Sequence, residues 1–398
     1  MHNISSAVDR IGTKSAKDGE ITLQRDSIRV LQIIGIVCGG GVEAVIMNYY
    51  RNLDRSKIQF DFVVDGYDKT ILDDEILSLG GKVYHVEPYR RNIFRYMKQV
   101  YWIVKKENYD IVHVNMNTLS IFSLFPAWLA GAKIRILHNH STAVKNEGVR
   151  SILKKVLRPL APLFANRYAA CSVLAGRWMY GEKRVNSGGI KIIRNAIDVN
   201  EYAYSSDLRK KYRTELGIAD DILVIGHVGR FMFQKNHAFL LKIFNEVCKR
   251  SSKAMLLLVG EGELRMEMER CAARYGIADR VRFLGLRRDV HQLYNAMDVF
   301  VLPSWYEGLP VVSVEAQANG LRSLFSTNVT AESGITRSAE FYPLTEGADK
   351  WAEHILQGNN RRNENASADL RMSGFEIHSQ AEALIAWYEK EIAIKKRS

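Results

Sequence analysis

From residue 28 onward, short runs of almost uninterrupted apolar residues alternate with longer segments whose apolar positions recur every three or four residues. The first kind reads as buried strand and the second as amphipathic helix. Strands are expected at 28–36, 60–65, 82–86, 111–114 and 134–138, and helices at 42–52, 73–79, 92–107 and 119–130. A second series places strands at 222–228, 255–259, 281–284, 299–302 and 323–326, with helices at 238–250, 264–275, 290–296 and 310–318. An amphipathic helix over 379–394 closes the chain. Strands without polar alternation belong to a parallel sheet covered on both faces. Strands and helices alternating at this size make a doubly wound α/β domain. The expectation is two Rossmann-like domains facing across a cleft. A polar tail spans 1–27, the first domain 28–196 and the second 197–375, and the last helix, 376–398, packs back on the first domain. No short repeat appears, so the doubling is architectural.

Composition narrows the class. With 47% hydrophobic residues over 398, the chain carries too much apolar surface for a disordered protein. No stretch reaches the roughly 18 uninterrupted apolar residues of a membrane span; the longest, 119–132, contains Pro126. Residues 1–27 lack an apolar signal core, so a cytoplasmic protein is expected. Cys38, Cys171, Cys248 and Cys271 are far apart with no CxxC spacing, which suggests neither a zinc site nor a disulfide framework.

The formal charge of +12 is unevenly placed. Residues 196–398 hold 27 basic and 27 acidic side chains, whereas 88–195 hold 19 basic against 4 acidic. The excess lies in the first half, which implies an anionic partner there: nucleic acid, an acidic membrane surface or a phosphorylated substrate.

Candidate chemistry sits at strand ends. Glu307-Gly308-Leu309-Pro310 follows the 299–302 strand, and Pro310 suits the first turn of the next helix. Glu315 then lies about one and a half turns inside that helix, whose N-terminal N–H groups suit a phosphate. The plainer alternative is a capping carboxylate and a solvated glutamate. Gly229-Arg230 ends a strand and Lys235-Asn236 opens the next helix, so two cations could clamp a diphosphate or simply be surface charges. Gly39-Gly40-Gly41 follows the first strand but completes neither a dinucleotide fingerprint nor a Walker loop. Gly260-Glu261-Gly262-Glu263 reads as a tight turn. His138 and His140 end the 134–138 strand, where neutral imidazole could bind a sugar hydroxyl or relay a proton. No acidic or cysteine ligands cluster near them, so no metal is expected.

The run WYEGLPVVSVEA, preceded in order by HVGRFMFQKN, LLLVGEGELR, VRFLGLRRDV and MDVFVLPS, resembles the retaining GT-B glycosyltransferases of family GT4. The resemblance runs from about Arg29 to Ile335, and RNAIDVNEY is similar to that family's interdomain segment. Exopolysaccharide and capsule glycosyltransferases of bacteria are the nearest look-alikes. The resemblance implies that Arg230 and Lys235 neutralise the donor diphosphate and that Glu307 holds the donor sugar hydroxyls. It implies that Gly308 and Leu309 offer backbone to the sugar and phosphate, and that Glu315 binds the ribose. His140, with His138 as the other candidate, matches the histidine beside the sugar's reacting face. The Gly39, Gly40, Gly41 turn would close over the phosphates, and Glu43 occupies a commonly acidic position. Ala196, Arg322 and Leu264 depart from the family pattern, and none is a proposed donor contact.

The expected activity is hexosyl transfer with retention, from a nucleotide-sugar, first of all a UDP-sugar, to a glycan or polyprenyl-diphosphate-linked acceptor. Neither a cofactor nor a metal is expected. Cations mixed with bulky apolar residues at 89–98 and 150–167 fit docking on anionic lipids at the inner face of the membrane. The competing readings are a catalytically inactive GT-B scaffold, a solute-binding protein and a basic nucleic-acid binder. The last lacks any helix-turn-helix, RNP or zinc pattern, so no nucleic-acid partner is expected.

Overall fold

In the computed structural model, residues 27–37, 39–142 and 154–397 are described. Cys38, residues 150–153 of the basic segment and nearly all of the polar tail lie outside them. The first sheet comprises β1 (Ile28–Gly35), β2 (Ile58–Asp65), β3 (Val83–Val86), β4 (Ile111–Val114), β5 (Ile134–Asn139), β6 (Arg167–Ala170) and β7 (Lys191–Ile192). The second comprises β8 (Leu223–Val228), β9 (Ala254–Val259), β10 (Val281–Phe283), β11 (Val299–Leu302), β12 (Arg322–Ser326) and β13 (Ala339–Tyr342). The strand orders are 3-2-1-4-5-6-7 and 10-9-8-11-12-13, and pairing is parallel throughout.

Apolar side chains explain this pairing. Val30, Leu31 and Ile33 of β1, and Val299 to Leu302 of β11, have no exposed surface, because helices cover both faces of each sheet. Strand order reverses between β1 and β4 and again between β8 and β11. Such switch points open a crevice beyond the carboxyl ends of the strands. The Gly39–Gly41 turn follows β1 and Asn115 follows β4; Gly229-Arg230 follows β8, and Pro303 to Glu307 follow β11.

The two units are joined by pairing and by a shared core. Ile197 donates its N–H to Phe375, and Ile377 donates back to Ile197, so outgoing and returning segments run side by side. The C-terminal helix Ile377–Arg397 then lays Leu384, Ile385 and Tyr388 against Val45, Tyr49 and Phe60 of the first unit. Leu309, Val311 and Val314 of the second unit enter the same apolar cluster. Arg167 and Glu391 pair across the returning helix.

Several expected boundaries shift. The 119–130 segment is a 3-10 turn, Asn117–Ser120, followed by helix Ile121–Leu129, which carries Pro126 in its interior. The 290–296 segment likewise splits into Val290–Leu293 and a 3-10 turn, Tyr294–Ala296. Pro310 lies just before helix Val311–Ala318 in extended backbone and not in its first turn. Strands β6, β7 and β13 and helices Ser206–Glu215, Ala348–Gln357 and Ala366–Met372 carry no sequence expectation above.

Candidate active site

Lys235 ends a 3-10 turn, Phe233–Lys235, and Asn236 follows with a positive φ of 57°, which Asn tolerates better than most residues. The Asn236 side-chain amide donates to the Pro303 carbonyl at 3.0 Å, tying the loop after β8 to the loop after β11. That tie brings Lys235 Nζ to 2.7 Å from Glu307 Oε1 across 72 positions of sequence. Ser304 Oγ donates to the same oxygen at 3.1 Å, and Gln234 Nε2 donates to Glu307 Oε2 at 2.9 Å. Both charged side chains are largely buried. A buried ion pair is tolerable when further hydrogen bonds satisfy its remaining polar atoms, as here.

Arg230 stays half-exposed and reaches Glu263 Oε2 at 3.4 Å, in the loop after β9. Context gives that glycine-rich loop a reason. A Cβ on Gly260 would lie 2.3 Å from the Gly229 carbonyl oxygen, and one on Gly262 would lie 2.4 Å from that of Phe231. The loop can back against the Arg230 segment only without side chains there.

Glu315 projects from helix Val311–Ala318 and accepts from Tyr294 at 2.8 Å and Tyr202 at 3.2 Å. Burial pushes its carboxyl pKa up, and the two hydroxyls counter part of that rise. The carboxylate has neutral O–H donors that a ribose hydroxyl could replace.

The first unit contributes the opposite wall. Gly39 N–H and Gly40 N–H donate to Glu43 Oε2 at 2.7 and 3.0 Å, so Glu43 closes the glycine turn from within helix Gly41–Asn52. Gly39 takes a φ of 73°, open to glycine at no steric cost. At Gly41 a Cβ would sit 3.7 Å from Val311, placing the turn beside the start of the Glu315 helix. Gly308 lies so close to the end of β5 that a Cβ would come within 2.6 Å of the His140 carbonyl oxygen. Ser172 Oγ donates to the Gly308 carbonyl at 3.5 Å, and the Asn195 side chain to that of Leu309. From the second unit, Glu332 accepts the N–H groups of Val173 and Leu174 at 3.0 and 2.9 Å, capping helix Val173–Tyr180 across the cleft.

His140 stands at the cleft with Nε2 3.0 Å from Asn115 Oδ1, while its N–H donates to Asn117 Oδ1 at 2.7 Å. His138 lies deeper, buried, with its ring centroid 3.9 Å from that of His140. Burial lowers both pKa values, that of His140 to about 3, so both rings are neutral at pH 7.

The arrangement thus joins Lys235 with Glu307, sets Glu315 and Gly41 on either side of one helix start, and backs His140 against Gly308. Arg230 remains on its own loop edge, paired with Glu263. Gln234, Ser304, Tyr202, Tyr294 and Asn115 complete the site and carry no sequence expectation above. The signal that marks two of them is adjacency, Gln234 to Lys235 and Ser304 to the β11 end; the tyrosines give none. Among the described residues, no group of three His, Cys, Asp or Glu side chains could hold a metal ion.

Comparison with known proteins gives the following. The family described as Glycosyltransferase Family 4 matches residues 39–201, and that described as Glycosyl transferases group 1 matches residues 222–357. EpsF of Bacillus subtilis (strain 168) is 34% identical over 369 residues, covering 90% of this chain and 96% of that protein. The UDP-Gal:alpha-D-GlcNAc-diphosphoundecaprenol alpha-1,3-galactosyltransferase of Escherichia coli is 26% identical over 301 residues, covering 72% of this chain and 76% of that protein. Among solved structures, Anabaena HepE in complex with UDP and glucose superimposes with a TM-score of 0.74 at 20% identity, covering 91% of this chain and 100% of that one.

Proposed function

Because this chain belongs to the group 1, family 4 glycosyltransferases of GT-B fold, we propose that it transfers a hexose from a UDP-sugar, with retention, to a glycan or polyprenyl-diphosphate-linked acceptor in exopolysaccharide or capsule synthesis. The observation that carries this reading is the buried Lys235–Glu307 pair, set immediately before Gly308, Leu309 and the helix that carries Glu315. A diphosphate entering there meets Lys235, Arg230 and the positive end of helix Val311–Ala318. Lys235 turns from Glu307 to phosphate, which frees the carboxylate for two sugar hydroxyls. Glu315 takes a ribose hydroxyl in place of one tyrosine.

Retention follows from a front-face route. The bond from the anomeric carbon to the diphosphate oxygen breaks first, and Lys235 and Arg230 stabilise the charge on the departing UDP. The acceptor oxygen then bonds to the anomeric carbon from the side that UDP leaves, and its proton passes to the leaving phosphate oxygen. Once Lys235 has turned to the phosphate, Glu307 holds sugar hydroxyls while Ser304 and Gln234 still donate to its two oxygens, so it is assigned to positioning the sugar and not as the nucleophile. A thermal-shift screen of the full chain against UDP-, GDP-, ADP- and TDP-sugars tests the donor. Stabilisation by UDP-sugars above the others is expected, and no shift with any of them refutes the reading.

The acceptor side suits a membrane surface. No helix among the described residues is long and apolar enough to cross a membrane. Phe94 and Trp102 are exposed on helix Ile93–Glu107, Trp128 and Leu129 are exposed at the end of helix Ile121–Leu129, and Phe125, Trp128 and Phe164 form one ring cluster. Arg90, Arg91, Arg95 and Lys98 lie in or beside that first helix. A cavity of about 780 Å³ next to exposed Leu163 is lined by Lys155, Arg158 and Arg184. Cations beside solvent-facing aromatic rings suit anionic headgroups and the acyl boundary. Cosedimentation with phosphatidylglycerol vesicles is expected at low salt, to weaken in high salt, and to drop several-fold for Phe94→Asp/Trp102→Asp. Equal pelleting with neutral vesicles, or none with either, contradicts the docking.

A further inference from the structure

Behind the cleft histidines lies a ring of buried polar side chains that the proposed donor contacts do not use. Tyr388 of the C-terminal helix places its hydroxyl 2.6 Å from His113 Nδ1, and His113 Nε2 is 3.1 Å from His138 Nδ1. Gln32 on β1 donates from Nε2 to the Tyr388 hydroxyl at 3.5 Å and accepts from Asn115 Nδ2 at 2.9 Å. Asn115 Oδ1 faces His140 Nε2 at 3.0 Å, and the His140 and His138 rings lie with centroids 3.9 Å apart, so the last side of the ring is a ring–ring contact and not a hydrogen bond. Gln32, His113, Asn115, His138 and Tyr388 are all buried.

Hydrogen-bond accounting fixes the direction of each link. Asn115 gives its N–H to Gln32, so its oxygen must accept, and His140 carries its proton on Nε2. Gln32 likewise donates to the tyrosine oxygen. The hydroxyl proton of Tyr388 has one remaining acceptor, His113 Nδ1. His113 is then protonated on Nε2 and donates to His138 Nδ1, which leaves His138 protonated on Nε2. The opposite direction strands the tyrosine proton as well as His138 Nε2, so it leaves two buried groups unsatisfied instead of one. Burial keeps all three rings uncharged, so each has one donor and one acceptor nitrogen.

We propose that Tyr388 is a positioning residue that sets the tautomers of His113 and His138, in a ring that leaves His140 with an acceptor on Nδ1 at the cleft. The catalytic significance rests on the donor-sugar reading above; the tautomers do not. An Nδ1 acceptor accepts a hydrogen bond from a sugar hydroxyl and repels a phosphate oxygen, so it orients the sugar and leaves the diphosphate to Lys235 and Arg230. The C-terminal helix thereby takes part in the chemistry of the opposite wall, through a residue 275 positions from His113.

Long-range 1H–15N spectra of the full chain labelled with 15N-histidine test this without any ligand. His113, His138 and His140 are assigned from the His113→Asn, His138→Asn and His140→Asn chains. In the wild type all three are expected to be protonated on Nε2. In Tyr388→Phe, which removes only the hydroxyl, His113 Nδ1 loses its hydrogen-bonded shift and His113 and His138 relax to mixed tautomers. Donor turnover falls about tenfold in kcat with KM for the donor changed less than twofold. A wild-type spectrum with His113 protonated on Nδ1 overturns the proposal, and this result needs no variant that folds. Unchanged tautomers in folded Tyr388→Phe overturn it equally. Absence of turnover with every nucleotide-sugar would sink the donor reading and leave the spectra standing.

Discussion

Lys235→Ala and Glu307→Ala are each expected to lower nucleotide-sugar turnover by about 10²–10³-fold. That is the loss of one preorganised electrostatic contact to developing charge, about 3–4 kcal/mol. The two side chains meet at 2.7 Å before any ligand arrives, so each holds the other in place and the effects should be strongly non-additive. The double variant should fall little further than either single one. Folding should survive. In Lys235→Ala the Glu307 carboxylate keeps Gln234 and Ser304 as donors, which holds the loss of stability to the lower part of the about 3–5 kcal/mol for breaking a buried ion pair. UDP release measured alongside circular dichroism separates the two effects. Turnover within threefold of wild type in either folded variant contradicts the assignment.

Acid should destabilise this protein steeply below about pH 6.5. His113, His138 and His140 in the first unit, and His227 and His237 in the second, have pKa values lowered first of all by burial, to about 3 for His113 and His140 and about 4 for His227. A base whose folded pKa is depressed contributes stability that is complete above its unfolded pKa, near 6.5, and is lost as pH falls toward the folded value. Each such histidine adds a slope of about 1.4 kcal/mol per pH unit below 6.5. The three with stated values together give about 4 kcal/mol per unit, enough to exhaust a typical stability of about 5–15 kcal/mol within a few units. Urea midpoints at pH 7.5, 6.5, 5.5 and 4.5 are therefore expected to be flat over the first interval and to drop steeply after it. His227→Asn should flatten the drop for the second unit. A stability that holds constant from pH 7.5 to 4.5 contradicts burial of neutral imidazoles.

Much of the fold is written in local pattern. The strands expected at 111–114 and 299–302 are β4 and β11 to the residue, because short β-branched and apolar runs, broken in β4 only by His113, stop at Asp110 and Asn115 and at Asp298 and Pro303. The weak strands β6, with Arg167 and Tyr168, and β7, with two residues, carry no such run; neighbouring strands recruit them. The candidate site divides the same way. Glu307 and Lys235 were visible as residues with suitable chemistry, yet their pairing depends on two loops meeting at the β8–β11 switch point. His113 left one trace, a polar residue inside an apolar strand, while Tyr388 left none, since only the returning helix brings it there. Glu332 had no local signature either, because its partners are backbone N–H groups of the other unit.

Calorimetric titration of UDP into the full-length chain tests the central claim most directly. The account predicts saturable binding with a Kd below about 1 mM, a free energy beyond about −4 kcal/mol. It further predicts binding at least tenfold weaker in Lys235→Ala, which removes the diphosphate cation. Saturable binding of GDP with none of UDP, or no heat from either nucleotide in a folded protein, would contradict it.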